Sequence, residues 1–120
     1  MATFTKVPFS AQTDGEPIKV VATASTGTTI HTTGTSATVF DEVWLYSYNS
    51  STSPVLLTIQ FGGTTSPDND IKLTLPPQSG LTLVIPGLIL AGTGSVGNTV
   101  YAYAATANVV TVAGYVNRIA

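Results

Sequence analysis

His31 is the only histidine in the chain, and so the only imidazole that could move a proton near neutral pH. A Ser-His-Asp triad is set by space rather than chain order, and Ser and Asp are both present, so the composition permits one. No nucleophile elbow accompanies it, and a solitary His in a Thr-rich β segment usually serves structure. The carboxylates fall into two small groups. Asp41 and Glu42 are adjacent on a strand, so they face opposite ways and make a poor acid/base pair. Asp68-Asn69-Asp70 resembles the start of a calcium loop. It lacks the following Gly and the later bidentate Glu, and turn chemistry accounts for Pro-Asp-Asn-Asp without a metal. No metal site is expected.

Gly92-Thr93-Gly94-Ser95-Val96-Gly97 matches G-x-G-x-x-G in spelling only. A dinucleotide site needs a helix after the glycines and an acidic residue about 20 positions on. Here a β run follows, and no Asp or Glu occurs beyond the motif. No cofactor and no enzymatic activity are expected. The rings of Trp44, Tyr46, Tyr48, Tyr101 and Tyr103 could stack on a sugar, with Asp41, Glu42 and Asn49 nearby in sequence. Core packing or a subunit interface is the commoner use of such rings.

The elements that must position these residues are strands. Phe40–Phe61 holds two alternating runs, Val43–Tyr48 and Val55–Phe61, joined by Asn, Ser, Thr and Pro, which predicts a β-hairpin. The first run is apolar on both faces, with Val43 and Leu45 on one side and Trp44, Tyr46 and Tyr48 on the other. A strand of a free-standing sandwich normally shows one apolar and one polar face. Two apolar faces imply a second covering surface, most simply another subunit.

The remaining strands are expected at Ile18–Thr23, Thr28–Thr32, Ile71–Leu75, Leu81–Ile85, Thr99–Ala105 and Val109–Ile119. Pro86-Gly87 is expected to turn the chain before Leu88–Leu90. About eight antiparallel strands and no helix predict an all-β, single-domain, jelly-roll-like β-sandwich over residues 18–120. Residues 1–17 lack periodicity and are read as an extended N-terminal arm, with a short edge strand as the alternative. Phe4, Val7 and Phe9 are its candidate docking residues.

Bulk composition narrows the partners. Only 8% of the 120 residues are charged, against roughly a quarter in ordinary soluble domains. Little charge repulsion keeps copies apart, as suits a protein of large assemblies. Mean hydropathy is +0.34, yet no apolar run reaches the roughly 18 residues of a membrane span. The four basic residues, Lys6, Lys19, Lys72 and Arg118, are scattered. A phosphate backbone needs a cluster, so neither membrane nor nucleic acid is an expected partner. With no cysteine there is no disulfide or thiolate chemistry. Met1–Ser10 carries no secretory signal pattern, so synthesis in a cytoplasm is expected.

The segments DEVWLYSYN, VLLTIQFGG, IKLTLPPQSGL, LVIPG, VYAYAATANVV and GYVNRI resemble a group of small structural proteins of tailed bacteriophages, over roughly Thr28 to Ile119. Some β-rich proteins of this kind are capsid decoration, or cement, proteins. The resemblance implies a non-enzymatic virion component made in the host bacterial cytoplasm and carried on the capsid surface. Its implied partners are the major capsid protein and itself, as a homotrimer. Trp44, Tyr46 and Tyr48, joined by Tyr101 and Tyr103, are the expected interface; if those rings instead fill the sandwich core, Val43 and Leu45 take the outer role. The alternatives are a tail, neck or fibre component, or a carbohydrate-binding β-sandwich that meets host-surface glycans.

Overall fold

The computed structural model describes residues 2–120. Nine strands follow one another: β1 (Phe4–Pro8), β2 (Ile18–Lys19), β3 (Thr28–Thr32), β4 (Phe40–Asn49), β5 (Val55–Phe61), β6 (Asp70–Leu75), β7 (Thr82–Ala91), β8 (Thr99–Ala104) and β9 (Val110–Ile119). The first sheet runs β1-β9-β4-β7, with β2 also paired to β9. The second runs β3-β8-β5-β6, and every pairing in both sheets is antiparallel. The pairings nest: β1 and β2 with β9, β3 with β8, β4 with β7, β5 with β6. A long antiparallel ribbon folded over in this way is the jelly roll expected from the strand spacing.

Period-two alternation decides what each strand buries. On β4 the residues Asp41, Val43, Leu45, Ser47 and Asn49 are buried, and Glu42, Trp44, Tyr46 and Tyr48 are half-exposed. On β8, Val100, Ala102 and Ala104 turn inward between Tyr101 and Tyr103. The core between the sheets gathers Val43 and Leu45 with Leu57, Ile59, Ile85 and Val112. Each such side chain contributes about 1.5–3 kcal/mol by leaving water. A bulge between Thr29 and His31 breaks the alternation of β3, so that Ile30 and His31 are both buried.

Several expectations need correction. Val43–Tyr48 and Val55–Phe61 are not a hairpin, because β4 pairs with β7 and β9 whereas β5 pairs with β6 and β8. Residues 50–54 instead carry the chain from one sheet to the other. Buried Asn49 shapes this crossing. Its Nδ2 donates to the carbonyls of Ser53 (2.8 Å) and Leu75 (3.2 Å), and its Oδ1 accepts from the N–H and hydroxyl of Ser51.

The first 17 residues are not a free arm. Phe4–Pro8 is an edge strand registered on Tyr115–Ile119, and Phe9 is fully buried in the core. A Cβ at Gly114, where φ is +150°, would clash with the Trp44 carbonyl and sit 3.0 Å from the Phe9 ring. The missing side chain at Gly114 is what admits that ring.

The strand expected at Ile18–Thr23 is only two residues long. Val20 N–H still bonds to Val110, but the Ala22 carbonyl already accepts from Ala104 of the second sheet. Pro86-Gly87 does not turn the chain; β7 continues through it to Ala91. β7 is an edge strand, where a missing N–H is tolerated, and Gly87 (φ +86°) lies at a register shift against Trp44.

Candidate interaction face and buried charge cluster

The outer surface of the first sheet is built from cross-strand rows. Register places Phe4, Ile119, Phe40 and Ala91 side by side, then Lys6, Asn117, Glu42 and Ile89, then Pro8, Tyr115, Trp44 and Pro86. Ala113, Tyr46 and Leu83 follow, then Thr111 and Tyr48. Trp44 stacks on Tyr115 with centroids 6.4 Å apart and planes 18° from parallel. Its indole N–H donates to Glu42 Oε1 (2.7 Å), which also accepts from Asn117 Nδ2 (3.0 Å). These two hydrogen bonds hold the Glu42 carboxyl below its ordinary pKa. Lys6 Nζ lies 4.6 Å from the Tyr115 centroid, a cation–π contact. A Cβ at Gly87 would stand 2.9 Å from Trp44 Cζ2, so the indole rests against bare backbone. Phe4, Phe40, Leu83 and Ile89 complete the surface, all substantially exposed.

The expected partner residues therefore separate. Trp44, Tyr46 and Tyr48 share this face with Phe4, which is 69% exposed. Val7 is half-buried against the core, and Phe9 has no exposed surface, so neither is presented for docking. Tyr101 and Tyr103 lie on the outer side of the second sheet, in register with Gln60 and Thr58. They do not join the Trp44 face. Tyr115, Glu42 and Asn117 do, and strand alternation through GYVNRI, set against β4, is the signal that could have placed them there.

A charge cluster sits on the inner side of the same sheet. Asp41 and Arg118 are direct cross-strand partners. Arg118 Nε donates to Asp41 Oδ1 (2.8 Å) and its NH2 nitrogen to Oδ2 (3.1 Å). His31 Nε2 is 2.7 Å from Asp41 Oδ2, and Ser10 N–H donates to His31 Nδ1 (3.0 Å). A backbone N–H can only donate, so Nδ1 is the acceptor and the ring proton resides on Nε2, facing the carboxylate.

Burial pushes the His31 pKa down, against the opposing pull of Asp41. Burial pushes Asp41 up, but hydrogen bonds from Arg118 and His31 outweigh it and hold the carboxyl below its usual range. Arg118 is raised by its hydrogen bond to Asp41. Both ring nitrogens of His31 are thus occupied, one by a carboxylate and one by main chain. Ser10 offers its N–H to the ring, while its hydroxyl accepts from Thr32 N–H (2.8 Å). That geometry is a structural tie rather than a Ser-His-Asp triad.

The Asp68–Asp70 loop is likewise closed on itself. Asn69 Oδ1 accepts from Thr65 N–H, Asn69 Nδ2 donates to the Phe61 carbonyl, and Asp70 accepts from the Ser66 hydroxyl and from Gln60. Among the described residues no group of three or more metal-ligating side chains comes together. Among the described residues no helix is long and apolar enough to cross a membrane. No protein-family model, no curated protein and no solved structure matches the chain.

Proposed function

We propose that this protein is a non-enzymatic structural component of a tailed-phage virion, a capsid decoration protein that bridges major capsid proteins as a homotrimer. The observation that carries this reading is the outer face of the first sheet. Trp44, Tyr46, Tyr48 and Tyr115 lie there with exposed Phe4, Phe40, Leu83 and Ile89, on a side where the sandwich supplies no covering layer. Aromatic residues flanked by few charges are typical of the centre of a protein interface. The resemblance of the β4, β5, β8 and β9 sequences to phage structural proteins supports the same assignment.

The mechanism is adhesive. Copies meet through the Trp44 face, and the opposite surface with Tyr101 and Tyr103 remains available to the major capsid protein. A trimer engages several shell subunits at once. Linking the sites raises their effective concentration, so individually weak contacts hold firmly together. Contacts that straddle a seam oppose its opening.

Mixing the purified protein with undecorated phage capsids tests this. Saturation at a fixed copy number per shell, with a rise in the shell's melting temperature, is the expected result. Failure to bind capsids overturns the decoration role, and a ring of higher symmetry in solution transfers the protein to the tail or neck. Glu42 and Asn117 beside Trp44 also form the pairing of polar groups and ring that a carbohydrate site would need. Glycan binding by a monomer would favour that second reading.

A further inference from the structure

His31 ties together two parts of the molecule. On one side is the Asp41–Arg118 pair of β4 and β9. On the other is the stretch after β1, where Ser10 N–H bonds to Nδ1, Ser10 Oγ accepts from Thr32 N–H, and Ala11 N–H reaches the Ile30 carbonyl at 3.2 Å. Beyond Ala11 the segment is held mainly by itself. Gln12 accepts from Phe9 N–H and donates to the carbonyls of Gly15 and Glu16, and residues Asp14–Pro17 are exposed.

We propose that His31 is an acid-released latch: protonation frees Ser10–Glu16 from β3 while the His31–Asp41–Arg118 chain and the rest of the sandwich stay closed. The argument rests on the tautomer. Nε2 already carries a hydrogen toward Asp41, so a second proton can only go to Nδ1. There it points at the Ser10 N–H, and an accepted hydrogen bond becomes two donors facing each other. On the far side of the ring the Asp41 carboxylate welcomes the imidazolium. The loss therefore falls on the N-terminal contact alone.

The charged groups facing the ring are Asp41 from β4 and, behind it, Arg118 from β9. The neighbouring strand β8 places Val100 opposite His31, and the segment after β1 contributes the Phe9 ring at 5.8 Å. Hydrogen bonds from Arg118 and His31 hold the Asp41 carboxyl below its usual range, which favours an anion beside the ring. Phe9, fully buried, anchors the near end of the freed stretch.

The chain's single histidine makes the test direct. Imidazole nitrogen shifts and residue-resolved amide exchange, expressed as protection relative to an unfolded chain, are measured from about pH 7.5 to about pH 4.5. The expected result is an Nε2–H tautomer at the upper end. Protection of Ser10, Ala11 and Thr32 should fall by about tenfold or more along the His31 titration, and the β4, β5 and β8 amides should lose distinctly less. In His31→Gln that step should vanish. An Nδ1–H tautomer, unchanged protection through the titration, or an equal loss in every strand overturns the latch. Because the tautomer and exchange are read in the wild-type chain, the test stands even if the variant fails to fold.

Discussion

Asp41 and Arg118 are opposite one another on adjacent strands, 77 residues apart in sequence, and share two hydrogen bonds of 2.8 and 3.1 Å. The carboxylate is almost wholly buried, and the guanidinium keeps 39% of its side-chain surface in solvent. That asymmetry makes the two ends of the pair unequal. Arg118→Met strands a buried anion and should cost about 3–5 kcal/mol. Asp41→Asn leaves a cation that can still reach water and should cost distinctly less. Urea denaturation of the two variants measures the difference, and equal losses would refute the assignment.

Phe9 and Phe4 sit five residues apart in the same N-terminal stretch and should behave oppositely. Phe9→Ala opens a core cavity beside Gly114 and is expected to cost about 3–5 kcal/mol. Phe4→Ala removes an exposed ring and should change monomer stability by about 0.5 kcal/mol or less. Chemical denaturation below the association concentration separates them.

Acid should weaken the fold in two stages. His31 is held below its ordinary 6.5 in the folded state. Its contribution is therefore complete above that value and declines as pH falls through the interval down to the folded pKa, since the unfolded chain takes up the proton first. Asp41, depressed below 3.8, adds stability above that value, and this is lost on further acidification. Urea midpoints between about pH 8 and about pH 3 should fall in this order, and His31→Gln should remove the first stage.

Ser47 carries the one buried side-chain oxygen without a partner among the described residues. It faces inward on β4, in register with Val112 and Thr82, and hydrogen-bonds to neither. Ser47→Ala should be neutral or stabilising by up to about 1 kcal/mol, read as a raised denaturation midpoint.

Much of this was legible in the sequence, and the gaps have physical causes. Val55–Phe61 and Thr28–Thr32 form strands with the bounds expected, because β-branched runs between turn formers have few other options. The link between β4 and β5 admits two readings, because four polar residues and a proline can close a hairpin or cross between sheets. The long-range pairing of β4 with β7 and β9 decides between them, and the Asn49 hydrogen bonds to Ser53 and Leu75 shape the crossing. β1 stands in the sequence only as the alternative of a short edge strand, because a strand with Lys6 laid over Tyr115 has no clean alternation.

Asp41 was legible in part. It shares strand parity with Val43 and Leu45, so its burial follows once that face is known to turn inward. Which of His31 and the four basic residues met it depended on register. The separation of Trp44 from Tyr101 was hidden for the same reason, since strand parity says nothing of which sheet a strand joins.

In the proposed function the Trp44 face holds copies together. Light scattering on the wild-type protein and on Trp44→Glu tests it, with circular dichroism to confirm that both are folded. A wild-type trimer that becomes a folded monomer in Trp44→Glu is the predicted result. A wild-type monomer at high concentration, or a trimer indifferent to the substitution, would contradict it.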